Sequence, residues 1–246
     1  MDLLVVGAGE MGRWVARTVD AAVAVTDVDD AAAAAAESDL DCRAVPADTS
    51  ETFDAVCLAV PISVATEAVE RYAPLADRAV CDVTGAMAAP VDAMRAHCPD
   101  RERVSFHPLF AASNAPGNVA VVADAPGPVT DAVRADVAAA GNHLFETTVT
   151  EHDAAMETVQ AGAHAAVLAY ALAAADVREE FATPVSAALD ELVETVTGGT
   201  PRVYREIQST FPGAGRVADA AREVANAEGD AFDALFREAG NGEDEP

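Results

Sequence analysis

Lysine is absent from these 246 residues: all 15 basic side chains are arginine, set against 42 aspartates and glutamates, for a formal net charge of −27. Catalysis by a lysine is therefore excluded, and so dense an acidic surface repels phosphate backbones, which argues against nucleic acid as a partner. Aromatic residues are scarce at 5%, while hydrophobic residues reach 51%, the balance of a soluble globular chain with a sizeable core. Only four cysteines occur, at 42, 57, 81 and 98, with no CxxC pair and no metal-ligand histidines beside them, so neither a metal site nor a disulfide framework is expected. Cys57 and Cys81 lie in apolar strand-like runs and read as core residues of a reducing cytoplasm. No apolar run is long enough to span a bilayer, and the chain opens directly on a core strand with no leader ahead of it, so a soluble cytoplasmic protein is expected. An evenly acidic, lysine-free, alanine-rich chain reads as a halophile's, whose carboxylate surface stays hydrated in strong salt, with a merely acidic mesophilic protein as the alternative.

What the chain does have begins at its third residue. The apolar run Leu3 to Val6 leads straight into Gly7-Ala8-Gly9-Glu10-Met11-Gly12, and the next apolar run, Val23 to Thr26, stops at Asp27. Strand, glycine loop, helix and an acid ending the second strand together form the dinucleotide-binding fingerprint. Gly7 permits the tight turn, Gly9 lets a pyrophosphate approach the backbone, and Gly12 lets the helix from Met11 to Val19 pack on the strand. Asp27 would accept hydrogen bonds from the adenosine ribose, and Asp29 and Asp30 add negative charge where a 2′-phosphate would sit, so NAD is expected rather than NADP.

Strand-like runs at Ala44–Pro46, Ala55–Ala59, Ala79–Val83, Val104–His107 and Ala120–Ala123 alternate with helical segments such as Asp30–Glu37 and Ile62–Ala73. This pattern predicts an α/β fold, a doubly wound parallel sheet of Rossmann type over residues 1–147. Beyond it the strand signal stops. Thr150 to Val177, Val185 to Thr195, Pro201 to Phe211 and Gly215 to Ala239 carry helical periodicity, which predicts an all-helical domain over 148–240 and a frayed acidic tail over 241–246. The first of these helices is nearly apolar from Ala161 to Ala175. It should be buried on most sides, more than so small a domain can provide alone, and a homodimer through this domain is expected.

Two groups of residues could carry chemistry. His107, in Ser105-Phe106-His107-Pro108-Leu109-Phe110, ends a strand on the carboxyl edge of the sheet, where open α/β folds bind ligands. It could take the proton of a carbinol as hydride leaves, or merely satisfy a turn before proline. The second group is Thr150-Glu151-His152-Asp153-Ala154-Ala155-Met156, continuing to Gln160 and His164. Thr150 and Asp153 have the spacing of a capping box, which puts His152 in the first helical turn. Gln160 and His164 share a face, while His152 and His164 stand about 18 Å apart along a helix axis, too far for both to touch one small substrate. Ordinary core or interface roles remain open for all three.

Read together, these residues resemble the prephenate and arogenate dehydrogenase family of tyrosine biosynthesis, in a halophilic archaeal version. The likeness runs from the glycine loop through Ala59-Val60-Pro61, Asp82-Val83-Thr84, His107-Pro108-Leu109-Phe110, the Glu151-to-His164 helix and Thr200-Pro201-Arg202-Val203-Tyr204. It implies NAD-dependent oxidative decarboxylation of prephenate to 4-hydroxyphenylpyruvate, with His107 as catalytic residue and Gln160 and His164 at the substrate. It also implies Glu10, Met11, Val60 and Pro61 as cofactor contacts beside Gly7, Gly9, Gly12 and Asp27, and a helical dimerisation domain. The chain departs from the family pattern in three places. Gly85 and Met87 stand where a serine and a lysine are common, so Thr84 or Ser105 must supply any hydroxyl contact. Thr195 stands where an arginine usually meets the substrate carboxylates, leaving Arg202, Arg205 and Arg216 as replacements, with Arg205 favoured by its depth in the helix. Competing readings are arogenate as substrate, a non-catalytic NAD-binding regulatory module, an imine-type reductase, and a β-hydroxyacid dehydrogenase. The last depends on a catalytic lysine that this chain lacks.

Overall fold

The computed structural model describes residues 1–240, and the expected acidic tail at 241–246 lies outside the described residues. The chain divides into two compact units, Met1–Ala154 and Ala155–Pro246.

The first unit is built on eight strands, β1 Asp2–Val6, β2 Ala22–Thr26, β3 Cys42–Ala44, β4 Phe53–Leu58, β5 Ala76–Asp82, β6 Glu102–Pro108, β7 Asn118–Ala125 and β8 His143–Glu146. They form one sheet in the order β3-β2-β1-β4-β5-β6-β7-β8. β1 to β6 pair in parallel, β7 runs antiparallel to β6, and β8 is parallel to β7. Helices α1 Glu10–Thr18, α2 Asp30–Asp39, α3 Ala65–Tyr72, α4 Ala88–His97 and α5 Pro128–Ala139 connect them. Because helices cover both faces, the central strands are apolar on alternate and intervening positions alike. Leu4, Val56 and Val80 pack into one layer with Val69, Tyr72, Met87 and Met94. Leu3, Val5, Cys57, Cys81 and Phe106 pack into the other with Trp14, Val133 and Val137. All four cysteines are free.

Two strand readings need correction. The third strand is Cys42–Ala44 rather than Ala44–Pro46, and β8, whose apolar residues are only Leu144 and Phe145, is absent from the strands expected from the sequence. Both are outermost in the sheet and largely solvated, so neither carries the apolar run by which buried strands are read.

α6, Val149–Met156, begins two residues earlier than a Thr150 cap would require. Thr148 fills that role, its Oγ1 accepting from the Glu151 N–H at 3.2 Å. The second unit is helical, with a π-helical segment Glu157–Gly162, α7 Ala163–Ala173, α8 Pro184–Thr197, α9 Pro201–Thr210, α10 Gly213–Asn226 and α11 Asp230–Gly240. Thr183 caps α8 through a box with Ser186, and Pro184 follows at the first helical position. The helix read to Val177 ends at Ala173, and the helix read over Gly215 to Ala239 is two helices broken at Gly229, whose φ is +51°. The π segment sits where Gly213 approaches it: a Cβ at Gly213 would lie 1.9 Å from the Glu157 carbonyl oxygen. None of the α7 residues is buried within the single chain, and Leu172 is 88% exposed.

Candidate active site

The parallel strands bring their carboxyl ends to one edge, and the sequence motifs fall there because each follows or ends a strand. The glycine loop follows β1, Asp27 follows β2, Val60 and Pro61 follow β4, Thr84 and Gly85 follow β5, and His107 lies at the end of β6.

In the loop, Gly7 has φ +104°, and a Cβ there would lie 2.3 Å from the Ala59 carbonyl oxygen. A Cβ at Gly12 would lie 1.8 Å from the Gly7 carbonyl oxygen, so both positions exclude any side chain. Gly9 differs, since a Cβ there would meet nothing within 4 Å. It opens α1 with no side-chain cap, leaving the first N–H groups and the positive helix end facing open space. That is a cradle for an anion such as a pyrophosphate. Asp27 is placed by the same loop: Oδ2 accepts from the Ala8 N–H at 2.7 Å and Oδ1 from the Asp29 N–H at 2.9 Å. Glu10 is exposed, while Met11, Val60 and Pro61 are half-buried. These residues suit a dinucleotide.

His107 is 6% exposed, and its Nδ1 lies 2.8 Å from Nε2 of His152, itself 2% exposed. The two rings meet edge to face, with centroids 5.0 Å apart. His152 Nδ1 lies 2.7 Å from Asp153 Oδ1. The Asp153 carboxylate also accepts from the N–H groups of Met87 at 3.1 Å and Ala88 at 3.2 Å, where α4 begins. Burial opposes the charge on Asp153, but the hydrogen bonds from His152 and from the two amides outweigh it and hold the carboxyl below its usual range. Burial, reinforced by the nearby His152, pushes His107 down to about 3, so its imidazole is neutral at any working pH.

Thr84 and Ser105 belong to a third cluster. Thr84 Oγ1 lies 2.6 Å from Asp82 Oδ1 and 2.9 Å from the Ala86 carbonyl oxygen, and the Thr84 N–H donates to the same Asp82 oxygen. Ser105 is fully buried opposite Asp82 in the β5–β6 pairing. Burial raises Asp82 to about 6, against the hydrogen bonds from Thr84. One threonine proton serves only one of the two oxygens at a time. The Thr84 hydroxyl is engaged at Asp82, while the Ser105 hydroxyl lies buried beside it. A Cβ at Gly85 would lie 3.6 Å from His107 Nε2.

In the second unit, Gln160 lies on the π segment, and His164 packs edge-on against Tyr204 with ring centroids 4.8 Å apart. Burial lowers the His164 pKa. A cavity of about 360 Å³ is lined by Leu168, Val196, Pro201, Tyr204, Arg205 and Gln208. Of the three arginines in question, Arg202 pairs with Glu206 at 2.9 Å and Arg216 with Glu157 at 2.8 Å. Among the described residues Arg205 has no such carboxylate partner. No group of three metal-binding side chains occurs among the described residues, and no helix among them is long and apolar enough to cross a membrane.

The pairing of His107 with His152 and Asp153 was not foreseen. His152 had been singled out, but a contact across 45 residues has no sequence signal, and Asp153 had been assigned only a cap. Asp82 did have one: a carboxylate ending an apolar strand.

Residues 12–124 match the prephenate dehydrogenase nucleotide-binding domain family. A 4-amino-4-deoxyprephenate dehydrogenase from Streptomyces pristinaespiralis is 33% identical over 238 residues, spanning 86% of this chain and 78% of that protein. Prephenate dehydrogenase from Aquifex aeolicus, solved with hydroxyphenyl propionate and NAD+, superposes with a TM-score of 0.71 over 98% of this chain and 92% of that one, at 15% identity. Synechocystis arogenate dehydrogenase gives 0.64 over 99% of each chain, also at 15% identity. At that identity the two structures share the fold.

Proposed function

The chain belongs to the prephenate dehydrogenase family of nicotinamide-dependent oxidoreductases, and from that premise we propose that it oxidises prephenate with NAD to 4-hydroxyphenylpyruvate and carbon dioxide. The observation that carries this reading is His107, a neutral histidine at the strand edge that also bears the nucleotide loop. When bound, the nicotinamide would supply the hydride acceptor. The α1 N–H groups and the loop at Gly7, Gly9 and Gly12 hold the pyrophosphate, Asp27 the ribose, and Glu10, Met11, Val60 and Pro61 border the cofactor. His107 Nε2 accepts the hydrogen bond of the substrate C4 hydroxyl and takes its proton as C4 becomes a carbonyl. The electron pair of the C1–carboxylate bond then enters the ring as carbon dioxide leaves, and the oxygen recovers a proton to give the phenol.

Gln160, His164 and Arg205 bind the substrate, with Arg205 rather than Arg202 meeting a carboxylate because its charge is not already paired. Thr84 and Ser105 contribute through Asp82. NAD is preferred over NADP, since Asp27, Asp29 and Asp30 oppose a 2′-phosphate. The apolar, uncovered α7 supports a homodimer through the helical unit. Free cysteines fit a reducing cytoplasm, and the lysine-free acidic surface fits a halophile.

A second reading replaces the C4 hydroxyl by an amine, as the name of the Streptomyces relative describes, since a neutral His107 accepts from N–H as readily as from O–H. Reduction of NAD by purified protein in strong KCl, with prephenate, arogenate and 4-amino-4-deoxyprephenate compared side by side, decides among them. Highest kcat/KM with prephenate supports the proposal, and no turnover of any of the three overturns it.

A further inference from the structure

His107 can accept a substrate proton at Nε2 only if its own proton sits on Nδ1, and something must enforce that choice. We propose that His152 and Asp153 are positioning residues that fix this tautomer and bear part of the charge His107 acquires. Only the kinetic arm of the inference rests on the dehydrogenase reading.

With His152 neutral, the contacts leave one consistent assignment of protons. A His152 carrying both protons would donate from Nε2 and put the His107 proton on Nε2, and the nitrogen-15 spectrum tells the two apart. The Asp153 carboxylate can only accept, so His152 Nδ1, 2.7 Å away, carries a proton. A neutral imidazole has one N–H, and His152 Nε2 is therefore an acceptor. His107 Nδ1, 2.8 Å from it, must donate, which leaves the basic lone pair on Nε2. The choice originates at Asp153, which stays ionised because the first N–H groups of α4 hold it and the positive end of that ten-residue helix favours an anion.

In turnover the hydroxyl proton bonds to His107 Nε2, and the imidazolium directs its Nδ1–H at His152 Nε2, with the Asp153 charge behind it. No proton has to travel further. An acid that orients a histidine base in this manner is worth a great deal elsewhere: in the Ser-His-Asp triad, Asp→Asn costs about 10⁴ in kcat through the wrong tautomer.

Nitrogen-15 NMR of histidine-labelled resting protein reads the tautomer without any substrate, the His107 signals being assigned by their loss in His107→Asn. The expected result is the Nδ1–H form of His107 in the wild type and the Nε2–H form in His152→Leu. In the kinetic arm, Asp153→Asn and His152→Leu should lower kcat by about 10²–10⁴ while the NAD dissociation constant stays within about twofold. His152→Gln, whose amide oxygen can accept from His107 Nδ1, should retain at least about tenfold more turnover than His152→Leu. Should the leucine variant not fold, Asp153→Asn and the wild-type spectrum carry the test. The Nε2–H form in the wild type, or a kcat in Asp153→Asn within about threefold of wild type, overturns the proposal. A wild type that turns over none of the three substrates yet shows the Nδ1–H form sinks the functional reading and supports this one.

Discussion

Replacing His107 by asparagine should act on turnover and on stability in ways that separate with pH. Asparagine keeps a polar group facing His152 but has no basic nitrogen, so kcat should fall by about 10²–10⁴, the usual worth of a general base, with nucleotide affinity little changed. The stability effect follows from the pKa. His107 is depressed from 6.5 to about 3 by burial and by His152, so between those values the unfolded chain binds a proton that the folded chain does not. A depressed folded pKa contributes stability that is present above the unfolded value and is lost as pH falls toward the folded one. At about 1.4 kcal/mol per pH unit, moving from pH 7.5 to pH 5 should cost the wild type about 2 kcal/mol through this residue alone. The asparagine variant lacks that titration and should be spared the loss. Urea unfolding in strong KCl at both pH values measures the difference. The lone tryptophan is a convenient probe, since Trp14 is buried in the first unit against Phe110, with ring centroids 5.7 Å apart, and reports the unit that contains His107. Equal losses in wild type and variant over this pH step, or unimpaired turnover in the variant, would refute the assignment of a buried neutral base.

Arg205→Leu should raise the substrate KM by about 10–100-fold, the worth of one charged hydrogen bond, while Arg202→Leu and Arg216→Leu stay within about threefold, all read by steady-state kinetics with NAD saturating. Gly12→Ala should abolish detectable NAD binding by calorimetry, because its Cβ would fall 1.8 Å from the Gly7 carbonyl oxygen and force helix and loop apart. Retained affinity there would mean that the loop does not hold the nucleotide. The melting temperature should climb steadily as KCl rises from about 0.1 M to above 1 M, where the screening length shrinks from about 10 Å to about 3 Å and the self-repulsion of a −27 chain fades. A melting temperature independent of salt would contradict the halophilic reading.

How much of this was legible in the sequence depends on whether a feature is written locally. The nucleotide loop was, because Leu3–Val6, the glycines and Asp27 each owe their residue type to neighbours close in the chain or to the adjacent strand. Strands β1, β2, β4, β5, β6 and β7 were legible because burial on both faces makes them apolar throughout. The three-residue β3 and the solvated β8 were not, and no pattern could mark them. The break between α10 and α11 had a signal in Gly229, overridden by the alanine-rich periodicity on either side. The π segment depends on how closely Gly213 approaches the Glu157 carbonyl, and the His107–His152 pairing on which helix reaches β6. Both are tertiary facts with nothing in the local spacing to announce them.

Asp27 has a consequence for anyone wishing to change the cofactor. The carboxylate that would select the ribose is also the one that receives the Ala8 and Asp29 amides, so a single side chain both shapes the loop and reads what enters it. Exchanging it to admit a 2′-phosphate would strip two backbone donors of their acceptor along with the unwanted charge. Redesign should therefore leave residue 27 alone and work from Val28, which is 88% exposed and holds nothing in place.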